Sequence, residues 1–426
     1  MNAASINSQS YYAATANPHT DRPSLDQDIE ADIAVIGAGF TGLSAALELA
    51  GRGYDVAVLE SETVGWGASG RNGGQVCSAY SKSMDHVEGR IGRDAARIAW
   101  GIAEEAKALI AERVARHRIG CDLKWGYLHA ATKPSHLEDV REMAAEFETY
   151  GNDRFEVLDT DAVRDRVGSE RFVGAFLDRS AGHFHPLNYC LGLAEAAERA
   201  GARIYEHSAA VRLETDGSPS VRTDRATVRC RYLILAGNAY LGGLVPYLSR
   251  RIMPVKSYIL ATEPLAENRA RGLIRHDEAV ADLNFIVDYF RLSADRRLLF
   301  GGRASYTTLE PSDLFAFMRP RMLRVFPQLD DVRLDYCWGG YIGITVDRMP
   351  HLGRIGKSTY FAQGFSGHGV AISGMSGKLI ADAIAGQAER FDVLARIKHP
   401  VFPGGRFRTP LLALGMLYYR MKDALG

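Results

Sequence analysis

The chain has 426 residues, room for two or three units at about 150 residues each and for a large core. Its 51 Lys and Arg balance 51 Asp and Glu, and a zero net charge argues against nucleic acid, which demands a basic surface excess. Five scattered cysteines (Cys77, Cys121, Cys190, Cys230, Cys337) form no C-x-x-C pair, so no disulfide framework or metal site is expected and the setting reads as reducing and cytoplasmic.

Residues 1–30 are polar, lack a basic segment followed by an apolar one, and read as an extended arm without a signal peptide. A β–α–β pattern follows. The apolar run Asp32-Ile33-Ala34-Val35-Ile36 enters Gly37-Ala38-Gly39-Phe40-Thr41-Gly42, a helical stretch follows, and Val56-Ala57-Val58-Leu59 ends in Glu60. Gly37 permits the tight turn, Gly39 close approach to a pyrophosphate, and Gly42 close packing of helix on strand. The helix opening at Thr41 aims N–H groups and a positive dipole end at phosphates. Glu60, with Ser61 beside it, stands 18 residues beyond Gly42, placed to accept from both ribose hydroxyls.

Helical spacing predicts a long helix over 91–118 and others over 137–150, 187–199 and 372–385. Strands are predicted at 124–131, 203–213 and 228–236, and an antiparallel block over about 245–335 forms a second domain. A last strand, 360–364, meets a Gly-rich turn. No stretch of eighteen apolar residues spans a membrane. The apolar segment 411–422 with a basic end either touches a membrane surface or docks on the fold, with no obligatory membrane role.

Four further segments carry chemistry. Gly67, Ser69, Arg71, Asn72, Gly73, Gly74 and Gln75 form a loop suited to lie against a flat ring system, or an ordinary surface hairpin loop. Val211 ends a strand, where its backbone offers a clasp for an adenine edge or is simply core. Gly237 gives either close approach to a pyrophosphate or a plain turn. Gly364, Gly367, His368, Gly369 and Val370 precede a helix whose N-terminus faces an electron-rich edge. No second strand–GxGxxG–helix unit follows, so no site for a nicotinamide donor is visible, and electrons come from the substrate itself.

These segments, in this order and with the interrupting sheet, resemble the glutathione-reductase-type flavoproteins, specifically the D-amino-acid-oxidase-like (DAO) amine oxidoreductases. The likeness covers about 31–390. It implies an α/β, Rossmann-like FAD-binding domain (31–90, 150–240, 336–395) interrupted by a mixed or antiparallel substrate-binding domain (91–149, 241–335), with a helical tail at 396–426. FAD lies extended, with Arg71 to Gln75, Gly340 and Gly367 to Gly369 near the isoalloxazine. The reaction oxidises a C–N bond: an amine is converted through an imine to an aldehyde and ammonia, and dioxygen is the expected acceptor, giving hydrogen peroxide. No side-chain base is nominated. Non-covalent FAD is expected, although Cys337 adjoins Trp338 where some relatives attach the cofactor.

Members acting on α-amino acids carry W-x-G-x-R-P, whose Arg grips the α-carboxylate. Here the run is Trp338-Gly339-Gly340-Tyr341-Ile342-Gly343, with Ile342 at the Arg position. A primary amine with a remote carboxylate, such as a gamma-glutamyl-capped diamine of polyamine catabolism, suits this better. The alternatives are a D-amino acid or N-methyl amino acid dehydrogenase, and a non-catalytic flavin-binding protein. His183, His185, Tyr258, Tyr289, Arg291, Arg303 and Tyr341 are the substrate-pocket candidates. Oligomeric state is not legible.

Overall fold

The structure, a computed structural model, describes residues 10–215, 217–305 and 311–405, so the apolar segment 411–422 and most of the tail lie outside the described residues. Ile33 to Ile36 and Val56 to Leu59 are buried on both faces, as an interior parallel sheet requires. β1 (Ile29–Ile36), β2 (Val56–Leu59), β7 (Arg203–Tyr205), β10 (Thr227–Leu235) and β17 (Thr359–Gln363) run parallel. With antiparallel β16 (His351–Ile355) at the edge, the order is β16-β17-β10-β1-β2-β7. The register sets Ile33 opposite Val56 and Tyr232. A hairpin of β8 (Arg212–Glu214) and β9 (Ser220–Arg222) flanks β10, so the strand expected over 203–213 is two short strands with a loop between them.

α2 (Phe40–Ala50), α3 (Arg93–His117), α4 (Pro186–Arg199) and α6 (Gly369–Ile384) share one core with this sheet, burying Leu43, Ile102, Leu193 and Ile380. α2 and α6 meet backbone to backbone: a Cβ on Gly377 would lie 2.2 Å from the Thr41 carbonyl oxygen, and Ser44 Oγ donates to Gly374 O at 2.5 Å. The long helix expected over 91–118 is α3, which starts directly after Gly92, whose φ of +83° only glycine adopts readily. Its apolar face packs on the nucleotide-binding core rather than on the second sheet.

The second sheet comprises β3 (Gln75–Val76), β4 (Lys124–Ala131), β5 (Phe155–Leu158), β6 (Gly174–His183), β11 (Met253–Thr262), β12 (Ala279–Asp282), β13 (Tyr289–Leu292), β14 (Leu298–Ser305) and β15 (Leu334–Ile344). Its order is β15-β11-β14-β13-β12-β4-β6-β3, with β5 beside β6, and every pair is antiparallel except β12 with β4. β5, β6 and most of β15, expected in the nucleotide-binding unit, therefore belong here. Their alternation marks them as strands, but only the long-range pairing of Met253 with Ile344 and of Ala131 with Gly174 decides which sheet they join.

Alternate residues split this sheet into two faces. On the outer face Tyr258, Leu260, Phe290 and Phe300 pack under α5 (Leu314–Val325) through Met318 and Met322. The inner face, with Tyr127, Ala281, Tyr289 and Trp338, is turned to the loop that follows β2: Cys77 packs on Tyr127, and Trp338 Nε1 donates to Arg71 O at 3.0 Å. Ahead of both sheets, α1 (Tyr11–Ala14) is capped by Ser10 and buries Tyr11 and Tyr12 against Trp338.

Candidate active site

A cleft opens at the carboxyl edge of the parallel sheet, where dinucleotides bind in such folds. Gly37, with φ +101°, turns the chain out of β1. A Cβ on Gly42 would sit 1.9 Å from Gly37 O, so no larger residue fits without moving backbone. Gly39 caps α2 without a side-chain oxygen, and the Phe40 N–H instead donates to Ser69 Oγ at 3.0 Å. Thr41 and Ala38 line the same wall. The helix N-terminus thus presents first-turn N–H groups to the cleft.

Glu60 Oε2 accepts from the Ala38 N–H at 2.8 Å; its Oε1 accepts from Ser61 Oγ and the Glu62 N–H, each at 3.1 Å. Burial raises the Glu60 pKa against these bonds, which leaves a carboxylate that gains from further donors. Val211 is placed differently from the expectation. It is exposed, its N–H donates to Arg222 O at 2.8 Å, and the cleft wall there is Ala209 and Ala210. The β8–β9 hairpin takes the amide that an adenine edge would need.

The loop from Gly67 to Gln75 closes the far end of the cleft. Asn72 organises it, donating through Nδ2 to Ala68 O and Ser69 O at 2.9 and 2.8 Å and accepting from the Gly74 N–H at 2.7 Å. Arg71 is buried, donates to Trp66 O at 2.7 Å and Gly339 O at 3.3 Å, and lies 5.0 Å from the Trp66 ring centroid. Gly340 leaves room for it: a Cβ there would be 3.2 Å from Arg71 Cβ. Gln75 spans to the second sheet, donating to Val280 O and Phe290 O and accepting from Tyr127 Oη at 3.2 Å. Opposite stand Gly237, Gly367, Gly369 and Val370. Asn238, held at φ +45°, ties the two strand ends together by accepting the Gly364 N–H at 2.9 Å. His368 begins α6, and burial lowers its pKa to about 4, so it is neutral at pH 7.

The substrate-pocket candidates separate. Tyr289 lies on the inner face, wedged where a Cβ on Gly73 would come within 2.7 Å of its ring. Arg291 shares that face but acts as a clamp, donating to Gly73 O at 2.7 Å, Leu292 O at 3.0 Å, Phe184 O at 2.9 Å and Tyr12 Oη at 3.1 Å. His183 is buried with Nε2 2.7 Å from Asp277 O, and His185 caps α4 by accepting the Asn188 N–H at 3.1 Å; burial lowers both pKa values to about 3. Tyr258 faces outward, 5.7 Å from the Phe317 ring. Tyr341 sits at the rim, its N–H donating to Tyr240 Oη at 3.1 Å and its ring 5.5 Å from Lys256 Nζ. Arg303 lies in β14, and its side chain is outside the described residues.

Sequence reasoning did not single out Trp66 and Tyr240, which meet edge to face at 5.5 Å in the cleft wall, nor the inner-face pair Tyr127 and His129, whose rings are 4.7 Å apart. Period-two spacing from Trp125 was a usable signal for the latter pair; Tyr240 gave none, because a one-turn helix positions it.

A two-sheet fold with an extended dinucleotide cleft bounded by a Gly-rich loop defines a flavin-dependent oxidoreductase. The chain belongs to the DAO family, described as FAD dependent oxidoreductase, whose model matches residues 32–383. It is 44% identical to gamma-glutamylputrescine oxidoreductase of Escherichia coli K12 over 98% of each chain, and 42% identical to the probable oxidoreductase OrdL of Haemophilus influenzae over 97% of each. In fold it matches glycine oxidase from Bacillus cereus with a TM-score of 0.72 at 22% identity, covering 87% of this chain and 99% of that one.

The residues present fit the family's FAD. The glycine cradle cannot hold a Cβ, Glu60 has unfilled acceptor capacity for ribose hydroxyls, and the cleft reaches from Glu60 to the loop from Gly67 to Gln75. Among the described residues no group of His, Cys, Asp and Glu is placed to hold a metal, and no helix is long and apolar enough to cross a membrane.

Proposed function

We propose that this protein oxidises the primary amine of gamma-glutamylputrescine, or of a closely related gamma-glutamyl-polyamine, to an aldehyde, with dioxygen as acceptor and ammonia and hydrogen peroxide as products, in polyamine catabolism. The observation that carries the reading is Ile342. It stands on the inner side of β15 and lines the cleft at the position where α-amino-acid enzymes of this family hold an Arg. An apolar side chain there gives no bidentate partner to a carboxylate on the reacting carbon. The substrate named for the Escherichia coli relative carries its single carboxylate on the glutamyl cap, far from the terminal putrescine amine, and that relative aligns along nearly the whole chain.

FAD bound in the cleft supplies the acceptor for the hydride equivalent released from the α-carbon. Glu60, the α2 N-terminus and the Asn72-organised loop hold the cofactor in place. Tyr127, Tyr289 and Ala281 give the inner face an apolar surface that excludes water and orients the amine. Attachment is non-covalent: burial pushes the Cys77 thiol up to about 11 and those of Cys121 and Cys337 up to about 12, and Cys337 points into the outer-face core.

Anaerobic titration of the holoenzyme with gamma-glutamylputrescine tests the proposal. Bleaching of the flavin absorbance, then reoxidation in air with stoichiometric peroxide, is expected. Bleaching by D-alanine or sarcosine but not by gamma-glutamylputrescine would overturn the substrate assignment, and a flavin that no amine reduces would overturn the catalytic one.

A further inference from the structure

The α-carboxylate of the glutamyl cap has no partner in the residues assigned so far. Arg348 lies in the loop after β15 and holds φ at +65°, a left-handed conformation that glycine adopts far more cheaply than arginine. Such strain at a bulky residue persists only where the surroundings fix it. Here they do: the Arg348 N–H donates to Thr345 O at 3.3 Å, and its carbonyl accepts from Ser81 Oγ at 2.5 Å. The backbone is pinned from two sides, which aims the side chain.

That side chain crosses to the substrate-binding sheet. Its guanidinium lies 5.6 Å from the centroid of Phe285, an exposed aromatic in the loop joining β12 to β13. Burial first, and the Arg348 charge after it, lower the His368 pKa. Phe285 belongs to the loop that leads into β13, whose Tyr289 lies on the inner face, so the guanidinium sits beside a loop that adjoins that face. Among the described residues it makes no ion pair. The neighbouring Asp347 is already committed to His399 at 3.0 Å and Arg90 at 3.3 Å. A half-buried guanidinium stacked on an aromatic and lacking an acid is an open fork for a carboxylate.

We propose that Arg348 is the specificity residue for a carboxylate remote from the oxidised amine, binding the α-carboxylate of a gamma-glutamyl cap with Phe285 beneath it. This rests on the proposed gamma-glutamyl amine substrate and supplies the recognition that Ile342 does not. Ile342 and Arg348 then act as a pair: one denies a carboxylate near the reacting carbon, the other rewards one farther away.

The test uses holoenzyme and two probes that cannot be oxidised at a terminal amine, N-butyl gamma-glutamylamide and its counterpart without the α-carboxylate. Arg348→Gly removes the charge and relaxes the left-handed backbone, so the variant should keep its FAD and its melting temperature; Arg348→Lys keeps the charge without the fork. Calorimetric titration of the wild type should show roughly tenfold to a hundredfold tighter binding of the carboxylate-bearing probe. In Arg348→Gly that preference should vanish, with Arg348→Lys in between. Equal affinities for both probes in the wild type, or a preference that survives Arg348→Gly, would overturn the inference. Failure of gamma-glutamylputrescine to bleach the flavin is a separate result: it would remove the proposed reaction, while an Arg348-dependent preference for the carboxylate probe would still stand.

Discussion

Arg291 looked from its position like a substrate-gripping residue, and replacing it with Met distinguishes a gripping role from the clamp seen in the structure. Arg291 is 2% exposed, and its guanidinium satisfies three carbonyls and one hydroxyl: Gly73 O, Leu292 O, Phe184 O and Tyr12 Oη. Methionine fills much of the same volume but donates nothing, leaving those acceptors buried. At the low end of about 1 kcal/mol for each abandoned group, the loss is about 4 kcal/mol. For a chain of 426 residues, an unfolding entropy of about 2.1 cal/mol/K per residue converts this to a fall of roughly 4–5 °C in melting temperature. Differential scanning fluorimetry of holoenzyme reads this directly, and steady-state kinetics read KM. We expect a lower melting temperature and weaker FAD retention, since Gly73 O and Phe184 O are held at the Gly67–Gln75 loop, with Vmax lowered in proportion to lost cofactor and KM unchanged. An unchanged melting temperature with KM raised tenfold or more would show that Arg291 binds substrate, and the clamp argument would fail.

Gly42→Ala should abolish tight FAD binding: the new Cβ would stand 1.9 Å from Gly37 O, and overpacking of this kind costs about 1–3 kcal/mol or displaces the turn; purified variant with a full complement of FAD would contradict this. Asp282 is buried beside Asp288, and burial followed by that neighbouring carboxylate raises its pKa to about 7. Since the folded value lies above the unfolded one, its contribution to stability is complete below about pH 4 and is lost as pH rises through about 7. Asp282→Asn should flatten the pH dependence of melting temperature between about pH 4 and 7, and an unaltered slope would show that the carboxylate titrates normally.

The nucleotide half of the fold was legible because its signals are local. Gly37, Gly39, Gly42 and Glu60 sit within one β–α–β unit, and their roles depend on contacts inside it. The second sheet was legible only in its middle, where β11, β13 and β14 follow one another. β4, β6 and β15 join it through pairings such as Lys124 with His183 and Lys256 with Tyr341. No period in the sequence announces a partner so distant. The same limit explains Arg291, His183 and His185, whose alternating or helix-capping positions do not tell what their polar atoms reach.

Backbone conformation was the other hidden layer, and it bears most directly on function. Glycines advertise left-handed positions in a sequence; Asn238, Arg348 and Ser366 do not, yet all three are left-handed, and Asn238 and Ser366 line the cleft. Asn238 at φ +45° joins β10 to the turn after β17 through the Gly364 N–H. Ser366 at φ +53° offers its hydroxyl to Gly364 O at 3.0 Å and receives the Thr345 N–H at 3.2 Å. These bonds draw the ends of β10, β15 and β17 into one corner, and Arg348 projects from the loop that Thr345 begins. A polar side chain that hydrogen-bonds locally can repay a left-handed backbone at Asn and Ser, whereas arginine has no such short-range compensation. The case for recognition by Arg348 therefore rests on the guanidinium beside Phe285 and not on the backbone alone, since Arg118 and Arg296 are also left-handed. Substituting Gly at Ser366 should loosen this corner, and at Arg348 it should leave the corner intact, so the two changes separate architecture from recognition at adjoining points of one site.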